Sequence, residues 1–170
     1  MFHKVFDRVI GHEGGFQKMT HDRGSWTSGV IGKGELKGTK FGLSAMTYPT
    51  TNIEALTVDE AKMIYFYDWW RPLNMDRFHQ SMQYQFFDAA INHGAVNATK
   101  MIQRAVAVKD DGIIGPMTLA EVNKMDINDL LMLFIAERIK FFTQVSTFDK
   151  YGKGWMNRMA KNLELAAEDN

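Results

Sequence analysis

Glu13 stands where a plain amphipathic helix would carry a hydrocarbon. Phe2, Val5, Phe6, Val9 and Ile10 recur at helical spacing, so one face of the first helix is apolar. At about 100° per residue, position 13 falls near the middle of that same stripe. Burying a carboxylate's charge is costly, and the C-terminal end of a helix dipole disfavours negative charge. Both effects raise a carboxyl pKa. A carboxylic acid held protonated near neutral pH is what a general acid requires. The alternative is a structural Glu paired with a buried arginine, for which Arg104, Arg138 and Arg158 are the available partners. Asp22 follows nine residues later in a glycine-rich stretch. Acids on two walls of a cleft can carry out glycoside hydrolysis, one protonating the leaving oxygen while the other positions water or stabilises the cationic sugar. The competing reading of Asp22 is a turn residue capping a backbone N–H.

The elements that must position these groups are mostly helical. The first helix is expected over about residues 2–14, closed by Gly14 and Gly15. Residues 15–44 hold seven of the 14 glycines, with Thr, Val, Ile and Phe between them, and read as a small β-hairpin lobe. Thr57-Val58-Asp59-Glu60 is a capping box that opens a helix running to about Trp70, before Pro72. Further helices are expected over about 80–93, from Asn97, from Pro116, over about 128–145, and over about 154–167. The fold class is therefore mainly α with a small β part. The whole chain, 1–170, reads as one domain: a catalytic half over 1–94 and a helical half over 95–170. The crevice between the helical body and the β-rich lobe is the natural place for a ligand.

Composition bounds the function. The 170 residues suffice for a real core, and Lys+Arg and Asp+Glu both count 20, so no global basic excess argues for nucleic acid. The absence of cysteine rules out a disulfide scaffold and a thiolate nucleophile. The five histidines have no zinc-type spacing, and Asp110-Asp111-Gly112 lacks the alternating acids of a calcium loop. No metal or cofactor is implied. The N-terminus has no signal-peptide pattern and no stretch is apolar enough for an integral membrane segment, so a monomer made in the cytoplasm is expected, with something else releasing it to its substrate.

Six segments then carry a resemblance. His12-Glu13-Gly14-Gly15-Phe16 resembles the Glu-Gly-Gly-aromatic motif of phage and bacterial muramidases of glycoside hydrolase family 108. In order along the chain, Gly38-Thr39-Lys40-Phe41-Gly42-Leu43-Ser44, Tyr67-Asp68-Trp69-Trp70-Arg71-Pro72, Phe87-Asp88-Ala89-Ala90-Ile91-Asn92-His93-Gly94, the stretch from Asp111 to Leu119, and Gly154-Trp155-Met156-Asn157-Arg158 are similar to that family's further motifs. The resemblance spans nearly the whole chain. It implies a lysozyme-like fold, Glu13 as catalytic acid, peptidoglycan glycan strands as substrate and a peptidoglycan-binding-like C-terminal part. The activity implied is that of a phage-type endolysin cleaving the β-1,4 bond between N-acetylmuramic acid and N-acetylglucosamine. Localisation follows the same likeness: the host cytoplasm first, then the wall after holin-type permeabilisation.

One departure stands out. Related sequences usually pass from the Asp to the Gly-Gly-x-Thr stretch in a few residues, whereas here Arg23 to Lys37 intervene. Asp22 is taken as the second carboxylate, with Glu35 its rival. Thr39 is expected to hold the attacking water, with Thr27 as substitute. Phe41, Tyr48, Trp69 and Trp70 are candidates for stacking on sugar faces. The two tryptophans point about 100° apart, so at most one reaches a cleft and the other is core. Asp88 and Asn92 share a helix face and read either as substrate hydrogen-bonders or as a buried polar pair. A lytic transglycosylase needs only the one Glu, a chitinase of related fold would act on chitin oligomers, and a wall-binding module would need no chemistry at all.

Overall fold

The computed structural model describes residues 1–10 and 15–170; residues 11–14, Glu13 among them, lie outside the described residues. The backbone forms two compact units, Phe2–Asp68 and Trp69–Asn170.

In the first unit, helix α1 (Phe2–Ile10) buries Val5, Phe6, Val9 and Ile10, the stripe that its sequence period specifies. Tyr65 packs edge-on against Phe6, with ring centroids 5.7 Å apart. The glycine-rich segment forms little regular structure: a 3-10 turn at Arg23–Ser25, and the strands β1 (Thr39–Lys40) and β2 (Leu43–Ser44), paired antiparallel with Thr39 opposite Ser44 and Lys40 opposite Leu43. The hairpin's two turn residues, Phe41 and Gly42, both have positive φ, at 51° and 76°. Two-residue hairpins favour such turns because their twist matches that of the strands. Gly42 suits this conformation, and a Cβ there would lie 2.6 Å from the Tyr65 hydroxyl oxygen. Phe41 is strained in the left-handed region. The Tyr65 hydroxyl holds it, donating to the Phe41 carbonyl at 3.0 Å.

Helix α2 (Val58–Tyr65) starts at the expected capping box: the Glu60 amide donates to Thr57 Oγ1, and the Thr57 amide donates to Glu60 Oε2. These bonds from Thr57 hold the Glu60 carboxyl below its ordinary range. The helix does not continue unchanged to Trp70. It widens into a π turn over Phe66–Trp70, a form often associated with functional sites.

The second unit is built from α3 (Gln80–His93), α4 (Ala95–Ala105), α5 (Pro116–Lys124), α6 (Ile127–Thr143) and α7 (Phe148–Asp169). Every residue of α3 from Ser81 to Ala90 is buried. A helix buried on all sides must be enclosed by others, and α4, α6 and α7 all pack on it. That enclosure places α3 with the C-terminal helices, in the unit Trp69–Asn170. Gly94, at φ 81°, makes the abrupt turn from α3 into α4. Pro116 opens α5 as its first residue. Buried Gln103 ties the 111–113 turn to α4: its amide nitrogen donates to Asp111 Oδ1 and its oxygen accepts from the Gly112 amide. The last helix starts at Phe148, six residues before the expected Gly154. Gly152 does not break it; a Cβ there would lie 2.8 Å from the Phe148 ring. No helix among the described residues is long and apolar enough to cross a membrane.

Candidate active site

Asp22 precedes the 3-10 turn as its N-cap. One carboxylate oxygen accepts the Gly24 amide at 3.1 Å, and the other accepts the Ser25 hydroxyl at 3.1 Å. Capping and catalysis are not exclusive here, because the cap fixes the carboxylate's orientation. Ser25 is itself buried, and its carbonyl accepts both the Lys37 and Gly38 amides, at 2.9 and 3.0 Å. This bond pair is the neck of the long intervening segment. Above it, Trp26 bridges Leu36, the Thr27 amide donates to the Glu35 carbonyl, and the Glu35 amide donates to Thr27 Oγ1. Residues 26–37 thus form a hairpin-like excursion, with Val30 and Ile31 exposed near its tip. The excursion closes on itself and returns the chain to where it left. Asp22 and Thr39, 17 positions apart in sequence, therefore lie on adjoining parts of one framework.

Thr39 is fixed by backbone pairing on both sides: its amide and carbonyl bond to Gln17, and its strand pairs with β2. Its hydroxyl has no hydrogen-bond partner among the described residues, so it is available to a ligand or water. Thr27 differs, because its hydroxyl serves the excursion. Glu35 lies on the outer arm, its side chain 73% exposed and paired with Lys37 at 3.0 Å. Phe41 sits half-buried in the hairpin turn beside Thr39, and Tyr48 lies half-buried just past β2, its amide donating to the Ser44 carbonyl. Asp22, Thr39, Phe41 and Tyr48 thus share the first unit.

The remaining candidates belong to the second. Trp70, a candidate for sugar stacking, is instead core: it is fully buried, its indole N–H donates to Asp76 at 2.9 Å, and its ring meets Phe87 edge-on. Trp69, its neighbour on the turn, is half-buried. Asp88 also has no exposed surface, so it is a buried polar residue and not a substrate hydrogen-bonder, whereas Asn92 is exposed. Its carboxylate binds Arg138 at 2.7 Å, Arg158 at 2.6 Å and the Asn162 amide at 2.9 Å. Exposed Asn92 donates to the Asp88 carbonyl at 2.7 Å. Burial opposes ionisation of Asp88, but Arg138 and Arg158 outweigh it and hold the carboxyl below its ordinary range. Sequence reasoning left Arg138, Arg158 and Asn162 out of this group. The signal was present, since an arginine on the apolar side of α6 and an aspartate amid the apolar face of α3 each demand a partner.

His93 joins the cluster as a neutral ring, its Nε2 accepting from Arg138 Nε at 3.3 Å. Burial, then the charge of Arg138, pushes its pKa from 6.5 down to about 4. In the unfolded chain the imidazole takes up its proton near the ordinary value; in the folded chain it does so only near the depressed one. His93 therefore contributes full stability above pH 6.5, and that contribution is lost as pH falls toward 4. The loss amounts to at most about 3 kcal/mol. Urea midpoints at pH 7 and 4.5 should differ accordingly, and His93→Asn should flatten the dependence. Equal midpoints in the parent would contradict it.

The profile of the family described as "Glycosyl hydrolase 108" matches residues 6–94, and that described as "Predicted Peptidoglycan domain" matches residues 97–160. Among solved structures, the chain is similar to one described as the structure of Brucella abortus SagA. The identity is 28% and the TM-score 0.82, over 98% of this chain and 94% of that one. Comparison with curated protein sequences gives no match.

Proposed function

The chain belongs to glycosyl hydrolase family 108 and is a glycosidase that hydrolyses peptidoglycan, and from that premise we propose that it is a muramidase cleaving the β-1,4 bond between N-acetylmuramic acid and N-acetylglucosamine. Glu13 protonates the leaving oxygen, Asp22 acts as second carboxylate, and Thr39 holds the attacking water. The observation that supports this most is the neck at Ser25. Its two carbonyl bonds bring the Asp22 cap and the Thr39 strand onto one framework despite the 26–37 excursion. Mass spectrometry of digested peptidoglycan tests the reading. Hydrolysis at this bond leaves N-acetylmuramic acid as a reducing end. An anhydro sugar would make the enzyme a lytic transglycosylase, and intact strands would leave a wall-binding module.

The assignment of roles makes two further expectations. Asp22→Asn should reduce turnover more than Glu35→Gln, whose side chain lies in solvent beside Lys37. A larger loss in Glu35→Gln on the same soluble wall fragment would move the second carboxylate onto the excursion. Thr39→Val keeps the β-branched shape and removes a hydroxyl that has no partner among the described residues. Stability should change by less than about 1 kcal/mol, while misplacing the water should cost about tenfold to hundredfold in rate. Unchanged turnover would leave Thr39 a strand residue only.

The same reading makes the protein a monomeric, phage-type endolysin, produced in the host cytoplasm and active on the wall once the membrane is permeabilised. Expression in a host with and without a co-expressed pore-forming holin checks this. Lysis in the pore's absence would contradict it.

A further inference from the structure

Two cavities of the second unit adjoin along one side of α5. One, of about 470 Å³, reaches from Asn74 to Ile114, Pro116 and Leu119. The other, of about 340 Å³, reaches from Phe78 and His79 to Val122 and Leu130. Arg77 and Asn123 line both, so the two meet across this pair of side chains and form one groove. Opposite α5, its wall is the 3-10 turn Met75–Arg77 and the residues that lead into α3.

The lining narrows the ligand. The floor is apolar: Phe78, Val122 and Leu130 are buried at one end, and Ile114 and Leu119 are half-buried at the other. The polar groups gather where the cavities meet. The Arg77 guanidinium is exposed and makes no ion pair or hydrogen bond among the described residues. Neither cavity is lined by an Asp or Glu. The acids next in sequence to the lining are engaged elsewhere: Asp76 accepts the Trp70 indole N–H, Glu121 pairs with Lys124, and Asp126 caps α6. His79 Nδ1 accepts the Ser81 amide, so the proton of the neutral ring sits on Nε2. Asn123 spends its amide nitrogen on the Leu119 carbonyl, which leaves its Oδ1 to accept an N–H. A cation, a ring N–H and an amide oxygen above an apolar floor suit an anionic peptide. Its carboxylate meets the guanidinium, a backbone N–H meets Asn123, and small apolar side chains lie on the floor. A glycan strand is served less well, because sugar faces stack on exposed aromatic rings. The described lining holds no Trp or Tyr, and its Phe78 is only 4% exposed.

We propose that this groove binds the stem peptide of peptidoglycan through a carboxylate held by Arg77. The proposal rests on peptidoglycan being the substrate. It gives α5, within the segment matched by the peptidoglycan-domain profile, a contact of its own, made by residues that carry no part of the chemistry. The stem peptide offers two carboxylates, that of its isoglutamate and that of its terminal D-alanine.

The full chain serves unaltered in the test, because a stem peptide without sugar has no glycosidic bond to cleave. The probes are the pentapeptide L-Ala-γ-D-Glu-L-Lys-D-Ala-D-Ala, the same peptide amidated at isoglutamate, the same peptide amidated at its C-terminus, and di-N-acetylchitobiose. The pentapeptide should move the methyl NMR signals of Ile114, Leu119 and Met125. One amidated form should bind more weakly, and which one identifies the carboxylate. Arg77→Gln, a change at an exposed position, should weaken the pentapeptide by about tenfold or more with the melting temperature unchanged. Ala120→Trp, which fills the groove from an exposed position on α5, should weaken it without altering any charge. Stationary signals at saturation, equal affinity in Arg77→Gln, or equal binding of all three peptides would overturn the proposal. So would chitobiose moving the same signals, which would make the groove a glycan site. Failure of the muramidase reading would appear separately, in the digestion products of intact peptidoglycan.

Discussion

Glu13→Gln should fold and melt as the parent does and retain only about 10⁻² to 10⁻⁴ of its lytic activity, the range that general acid catalysis supplies. The argument rests on spacing and kinship. Val5, Phe6, Val9 and Ile10 are the buried face of α1, and the same sequence period continued reaches position 13. The matched family is a glycoside hydrolase one, and its profile covers this position. An amide preserves the size of the side chain and cannot deliver a proton. Turbidity clearance of permeabilised cells, read beside a thermal melt, separates chemistry from folding. More than about a tenth of parental activity in a well-folded variant would remove Glu13 from the acid role.

The largest loss of stability should come from Asp88→Asn, at about 3–5 kcal/mol. Arg138 is wholly buried and Arg158 is only 32% exposed, and both direct their guanidinium nitrogens at this one carboxylate. An amide removes the anion that both cations share. Domains of this size have only about 5–15 kcal/mol of stability in total, so the variant should begin to unfold at markedly lower urea. The interaction is cooperative, not additive: Asp88→Leu combined with Arg138→Met should cost less than Asp88→Leu alone, because the wholly buried Arg138 cation is removed together with its anion. A loss below about 1 kcal/mol in Asp88→Asn would mean that water already screens the cluster.

What could be read from the sequence was whatever a few neighbouring residues decide. The Thr57 capping box, Pro116 at a helix start and Gly94 between two helices are all local, and each stands where its chemistry puts it. Burial of the α1 stripe was equally legible. The start of α7 was not: the helix was expected from about Gly154, yet it begins at Phe148 and runs through Gly152, which packs against the Phe148 ring. The Asp88 cluster escaped for the same cause: its partners lie 50 and 70 positions away. Trp70 and Trp69 could be told apart only by what surrounds them. The neck at Ser25 is the clearest case. A long stretch between Asp22 and Thr39 looked like a disruption of the site, and only the two amides meeting one carbonyl reveal that it is an appendage.

That closure gives the excursion the character of an exchangeable cassette. Its two ends meet at a single carbonyl, so beyond the neck the scaffold registers little more than the contact of Gly29 with the Met46 side chain. The entropic cost of closing a loop grows slowly with its length. Residues 27–36 can then be shortened, lengthened or replaced by a foreign turn with little effect on the framework beneath. The same enzyme scaffold could in this way carry different wall-recognition or reporter sequences on one arm while its chemistry is left alone.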